Sequence, residues 1–142
     1  MFKIIITMKR KPGITREEFI EYYNNNHLPY TARVLTEGTP RPTLHRRNFV
    51  TTDDPFLAVV GENRAVNDDP PVDAFTEIYF ESRSEAMAMF SDFFDPVRFD
   101  GIREDEANFV DLESIRFFAV EVAEYDRVSE RERVAGSVTQ FE

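Results

Sequence analysis

Residues 9–29, KRKPGITREEFIEYYNNNHLP, decide how the chain is read: a strand runs in, a turn reverses it, and a capped helix leaves carrying a histidine. Pro12-Gly13 supplies the turn. Thr15-x-x-Glu18 is a capping box, in which the hydroxyl accepts from a first-turn N–H and the glutamate reaches back to the cap's own N–H. From that start Phe19, Ile20 and Tyr23 fall on one stripe. His27 comes seven residues after Ile20 and four after Tyr23, so it shares their inward face. Pro29 removes a backbone donor and disfavours helical geometry at Leu28, and the asparagines at 24–26 are weak helix formers. The helix is therefore expected to break or loosen beside His27. Carbonyls freed there favour a cation and would hold the imidazole partly protonated. Two readings stand side by side: an inward-facing acid or base, or a core histidine that ties down freed carbonyls.

Outward from this stretch, residues 2–8 alternate as a strand apolar on both faces, with Phe2, Ile4, Ile6 and Met8 opposite Ile5 and Thr7. The helix should run from about residue 16 to residue 35 and stop at Glu37-Gly38-Thr39-Pro40, with Gly38 as a left-handed cap. Residues 43–52 read as a second strand with a polar centre. His45, Arg47 and Phe49 share one face, which is either wet or lines a cavity. Residues 53–73 carry turn signals and read as an insertion and a possible lid, with an apolar pentad at 56–60 as a short strand or a loop over a pocket mouth. A third strand covers 74–81, with Phe75, Glu77 and Tyr79 against Thr76, Ile78 and Phe80. Ser82-x-x-Glu85 repeats the capping pattern and starts a helix with an apolar stripe of Ala86, Met87, Phe90, Phe93 and Phe94. Residues 99–110 read as one or two short helices, 112–125 as a long last strand, and 126–142 as a polar tail, flexible or docked on a partner.

This order, β-α-β-β-α-β, predicts a ferredoxin-like α+β domain over residues 1–125: a four-stranded antiparallel sheet with both helices on one face. The other face keeps large apolar groups with nothing left to cover them, which predicts a homodimer packed sheet face to sheet face.

Composition narrows the function classes. The chain has 142 residues, a net charge of −10, no cysteine and 13% aromatics, fourteen of them phenylalanine. One domain with a real core fits that length. The charge argues against nucleic acid, and the basic clusters at 9–11 and 46–47 read first as solvated residues. No long apolar run or signal-peptide pattern is present, so a soluble cytoplasmic protein without a membrane partner is expected. Without cysteine there is no thiolate nucleophile and no Cys-ligated metal. Two histidines eighteen residues apart, without H-x-E or H-E-x-x-H spacing, give no metal motif. Phosphate loop, nucleophile elbow and flavin or nicotinamide fingerprints are missing too, so no cofactor is expected.

The motif Arg10 or Lys11, Pro12-Gly13-Ile14-Thr15, Glu17-Glu18-Phe19, Tyr22-Tyr23, Asn26-His27 and Pro29 resembles the EthD family of small dimeric α/β-barrel proteins. That family usually has a tryptophan in the aromatic pair, where this chain has tyrosine. Glu77, in FTEIYF, stands at the matching position of the family's third strand, and residues 105–111 (DEANFVD) match its acidic stretch before the last strand. The resemblance implies a small, mostly apolar aromatic, polyketide-like or lactone substrate between sheet and helices. It also implies acid/base chemistry of a dehydratase, isomerase or decarboxylase type. A cofactor-free monooxygenase and a non-catalytic binding or stress-related protein are the alternatives.

His27 and Glu77 are the candidate acid and base, provided both face one cavity. Burial among aromatics would raise the pKa of Glu77, whereas pairing with Arg47 or Arg116 in a dimer interface would make it structural. Tyr22, Tyr23, His45, Arg47, Tyr79 and Phe90 are the expected substrate contacts. The acidic stretch reads most simply as a solvated helix with Phe109 buried.

Overall fold

The strands are Phe2–Met8 (β1), Leu44–Phe49 (β2), Ala74–Phe80 (β3) and Arg116–Val120 (β4); in β1 and β3 apolar residues at alternate positions set the buried face, whereas β2 keeps its polar centre. The computed structural model describes residues 1–126 and the segment Arg131–Val134. Its sheet has the order β2-β3-β1-β4 with every neighbouring pair antiparallel. Helices follow β1 and β3, so the ferredoxin-like β-α-β-β-α-β arrangement is present as predicted. Among the described residues no helix is long and apolar enough to cross a membrane.

The register settles which side each residue takes. Ile4, Met8, Ala74, Thr76, Ile78 and Phe80 are buried on the helix side. There they pack in two clusters, one with Leu35, Ala86 and Met89 and one with Phe19, Tyr23 and Phe109. Across the sheet lie Ile5, Thr7, Phe75, Glu77, Tyr79 and Phe118. Phe75 and Phe118 are 38% and 50% exposed, so this side is open to solvent.

The Thr15 capping box forms in full: Glu18 N–H donates to Thr15 Oγ1 at 3.1 Å and Thr15 N–H to Glu18 Oε1 at 3.0 Å. Helix α1 (Arg16–Tyr22) passes into a π-helical turn, Tyr23–His27, and then into α2 (Leu28–Val34). The expected break is thus a bulge, and the helix continues through the proline. In an unbroken α-helix the Pro29 ring would meet the carbonyl four residues back. One extra residue in the turn, with Leu28 N–H bonded to Tyr23 O, takes up that conflict. Gly38 has φ +86° but sits in the turn beyond the helix, which already ends with Leu35 extended.

Three further expectations are corrected. Residues 56–61 form a short helix (α3, Phe56–Gly61), neither strand nor buried loop. Phe56 and Val59 are each 66% exposed there. In α4 (Arg83–Phe93) Ala86, Met89, Phe90 and Phe93 face inward, and Met87 points outward, 64% exposed. Residues 99–110, expected as one or two short helices, do lie mostly in one helix, α5 (Pro96–Glu106), capped by Asp95. The long last strand is divided: a 3-10 turn at Leu112–Ser114, then β4, then Ala123–Asp126 (β5), which pairs with Arg131–Val134 (β6) in a separate ribbon. That ribbon takes up the start of the expected tail. Residues 127–130 and 135–142 lie outside the described residues.

Candidate active site

The wide turn at Tyr23–His27 brings two aromatic side chains under the sheet. Tyr23 is 2% exposed, and its hydroxyl lies 2.7 Å from that of Thr76 on β3. Burial raises the Tyr23 pKa to about 12, so the phenol is a fixed neutral group. His27, 9% exposed, packs at 5.0 Å from the Phe109 ring and 5.6 Å from that of Tyr23. Its Nδ1 is 2.6 Å from Asp105 Oδ2. Because a carboxylate only accepts, the ring proton sits on Nδ1 and the Nε2 lone pair is left over. The Asp105 carboxylate is itself held: Tyr22 donates to Oδ1 at 2.8 Å, and Asn108 donates to the Tyr22 oxygen at 2.9 Å.

A partly protonated His27 was expected from freed carbonyls. Burial instead lowers its pKa, and the bond and charge of Asp105 offset only part of that shift. A bulge keeps the backbone bonded where an open helix end would have left bare carbonyls. The imidazole is therefore a neutral ring oriented by a carboxylate, which is the arrangement of a base.

Strand β2 brings the second polar pair to the same side. Arg47 Nε donates to Oδ1 of Asn24, in the π turn, at 2.7 Å, and Nη1 donates to Nδ1 of His45 at 3.2 Å. A guanidinium has no acceptor, so His45 carries its proton on Nε2. Burial first, then the charge of Arg47 and the nearness of His27, push the His45 pKa down to about 4. The two imidazoles thus have opposite ring polarity: His27 offers a lone pair and His45 an N–H.

These groups line a cavity of about 480 Å³ between sheet and helices, whose walls include Ile6, Met8, Leu28, Ile78, Met89, Phe90, Phe93 and Phe117. Glu106 lines it as well. Burial, and then the charge of its neighbour Asp105, raise the Glu106 pKa to about 7, against a smaller pull from Arg103. Asp105 and Glu106 end α5, where the helix dipole disfavours negative charge, so helix stability gives no reason for either. Among the described residues no three His, Asp or Glu side chains are grouped to hold a metal ion.

Of the expected site residues, His27, Tyr23, His45, Arg47 and Phe90 meet at this cavity. Tyr22 is a support, stacked on Phe109 at 5.1 Å and bonded to Asp105, and it does not line the cavity. Glu77 and Tyr79 lie on the opposite side of the sheet. Glu77 accepts from Lys3 Nζ at 2.7 Å and Asn48 Nδ2 at 2.9 Å, with Arg46 Nη1 at 3.7 Å. The strand arginine beside it within the protomer is Arg46, where Arg47 or Arg116 had been named as examples. The Lys3 bond leads in lowering its pKa, where burial in a pocket was expected to raise it. The acid that His27 does meet, Asp105, and the one that shares its cavity, Glu106, both lie in the stretch expected to be a solvated helix. Their one sequence signal was the match of 105–111 to the family's acidic motif. The 56–61 helix does not line the cavity, so it forms no lid in this structure.

Among curated proteins none matches the chain. Among solved structures, the crystal structure of an ethyl tert-butyl ether D (EthD) family protein from Bacillus halodurans C-125 superposes with a TM-score of 0.51 at 14% identity. The match covers 86% of this chain and 99% of that one, which is a likeness of fold. The EthD domain model matches residues 11–113, from the turn before α1 to the 3-10 turn before β4. That span holds every residue of the His27 dyad and its supports, and the chain belongs to the EthD family.

Proposed function

We propose that this EthD protein is an enzyme without a redox cofactor that moves a proton on a small aromatic, polyketide-like or lactone compound, in a reaction of the lyase or isomerase type. One observation carries the reading: His27 is fixed through Nδ1 by Asp105, and its free Nε2 belongs to a ring that lines a cavity large enough for such a molecule. In this scheme Nε2 removes a proton next to a carbonyl or from a phenol. The His45 Nε2–H donates to the oxygen on which charge develops, and Glu106, poised near neutrality, returns the proton. The cavity that reaches the imidazole favours an enzyme over a core packed solid around a structural histidine.

The test is proton exchange. Enolisable aromatic ketones and lactones incubated in D₂O should gain deuterium at the activated carbon, and His27→Ala should abolish the gain while the melting temperature holds. Exchange unaffected by His27→Ala would refute the scheme. Oxygen uptake with phenols would identify the cofactor-free oxidase in its place.

We also infer a two-fold homodimer through the open sheet face. Leu44, Phe75 and Phe118, each at least 38% exposed, support it, since monomers seldom leave such a face to water. A monomer in sedimentation at micromolar concentration would refute it.

A further inference from the structure

Gly101 stands inside α5, with two helical residues fewer than a turn and a half between it and Asp105's neighbour Glu106 at the helix end. Its backbone there is helical, and alanine would favour such a position. Space is the reason for the glycine. A Cβ built on Gly101 would lie 2.5 Å from the Tyr30 hydroxyl oxygen and 3.8 Å from Cζ of the same ring. Tyr30, in the first turn of α2, thus stands with its tip on the bare backbone of α5.

Two further contacts join the same segments. His27 Nδ1 meets Asp105, one turn beyond Gly101, at 2.6 Å, and Asn108 donates to the Tyr22 oxygen at 2.9 Å. From Tyr22 through His27 to Tyr30 the partners run backwards, at 108, 105 and 101. The two segments are therefore antiparallel, and the three partners share one face of α5 and its continuation.

This separation has little slack. Bringing a Cβ at position 101 and the Tyr30 oxygen to ordinary contact would part them by about 1 Å. Added to the bond of 2.6 Å between His27 and Asp105, that distance passes the limit of a hydrogen bond.

We propose that Gly101 is a positioning residue: its missing side chain makes room for Tyr30, and so lets α5 come close enough for Asp105 to bind His27. The inference rests on the proposed function in taking His27 as the base, and it adds the residue that keeps the dyad at bonding distance. Neither Gly101 nor Tyr30 lines the cavity, so substitutions there act on the dyad without touching a ligand.

Imidazole NMR of the full chain is a direct readout, since His27 and His45 are its two histidines. In wild type the His27 ring should show the Nδ1–H tautomer, with its proton far downfield from the bond to a carboxylate. Gly101→Ala should move that proton upfield and lower the ratio of Nδ1–H to Nε2–H tautomer about tenfold, the scale of one charge-assisted bond. Proton-exchange activity should fall with it. Tyr30→Phe removes the opposing oxygen and leaves Cζ at ordinary contact distance. Alone it should change little, and combined with Gly101→Ala it should restore the wild-type His27 signals. Asp100→Gly, at an exposed neighbour in the same helix, should lower stability and leave those signals in place. Should Gly101→Ala fail to fold, the double variant must fold and carry the wild-type His27 signals. His27 signals unmoved by Gly101→Ala, no rescue by Tyr30→Phe, or an equal shift from Asp100→Gly overturns the proposal. Altered signals with proton exchange untouched would instead sink the proton-transfer scheme and leave Gly101 in this role.

Discussion

On the open side of the sheet, Glu77 is met by an ammonium, an amide and a guanidinium, and its pKa falls. On the helix side, Glu106 is buried beside another carboxylate, and its pKa rises to about 7. Two glutamates of one small domain are thus driven in opposite directions by what surrounds them. Glu77 has its partners supplied by β1 and β2, so its charge is a structural matter. Around the cavity the bonds run short: Nε2 of His27, part of the Arg47 fork and the Glu106 carboxyl keep capacity for a ligand. Among the described residues no buried side-chain nitrogen or oxygen lacks a hydrogen-bond partner, so these unbonded atoms open on the cavity, where a ligand can reach them.

Mutations can break or sharpen that contrast. The largest effect should come from His27→Ala, with proton-transfer activity down roughly 10²–10⁴-fold, against a change within about threefold for Glu77→Gln. Equal losses from the two would erase the distinction between the faces. Next is the aromatic floor: Phe109, 1% exposed and touching the rings of Phe19, Tyr22, Tyr23 and His27, should cost about 3–5 kcal/mol as Phe109→Ala in urea unfolding. Phe118→Ala on the open side should leave the protomer's stability within about 1 kcal/mol and weaken self-association instead.

A third prediction concerns pH. His45 has its pKa lowered from 6.5 to about 4, so it binds fewer protons folded than unfolded; its contribution is complete above pH 6.5 and lost as the pH falls toward 4. Glu106 has its pKa raised from 4.5 to about 7 and binds more protons folded, so its cost is complete above pH 7 and relieved as the pH falls toward 4.5. Each amounts to about 3 kcal/mol, and between pH 6.5 and 4.5 they oppose each other. Glu106→Gln should be more stable than wild type at pH 7 and should lose stability on acidification more steeply. Parallel stability–pH curves would show that Glu106 titrates normally. The smallest effect belongs to Thr15→Ala, about 1 kcal/mol from the lost cap, with the activity of folded protein intact.

The fold was legible because its signals are local. Caps at Thr15 and Ser82 mark both helix starts, and alternation in the strands sorts their faces. His27 was legible for the same reason, since its spacing from Ile20 and Tyr23 is a property of one helix. Glu77 shows where this ends: alternation places it with Phe75 and Tyr79, but nothing within one strand says which side the helices will cover. Asp105 and Glu106 were hidden for a related reason. A run of acids on a short helix looks solvated until the partner helix brings a histidine to it. The division of the last strand depends on Ser114 bonding back to Lys9, a contact across 105 residues that no local pattern announces.

The π turn at Tyr23–His27 also has a bearing on how this helix can move. A one-residue bulge can in principle migrate along a helix, each hop shifting the phase of a side chain by about 100°. Toward the C-terminus such a hop meets Pro29, which has no N–H to hand on and whose ring blocks a tight turn behind it. The proline therefore acts as a mechanical stop. Deleting Asn25 would remove the surplus residue, close the turn into a regular helix, and press the proline ring against a carbonyl at a cost of about 3 kcal/mol. The rotational setting that aims His27 at Asp105 is thus held by chain length and one imino acid, independently of any contact inside the cavity.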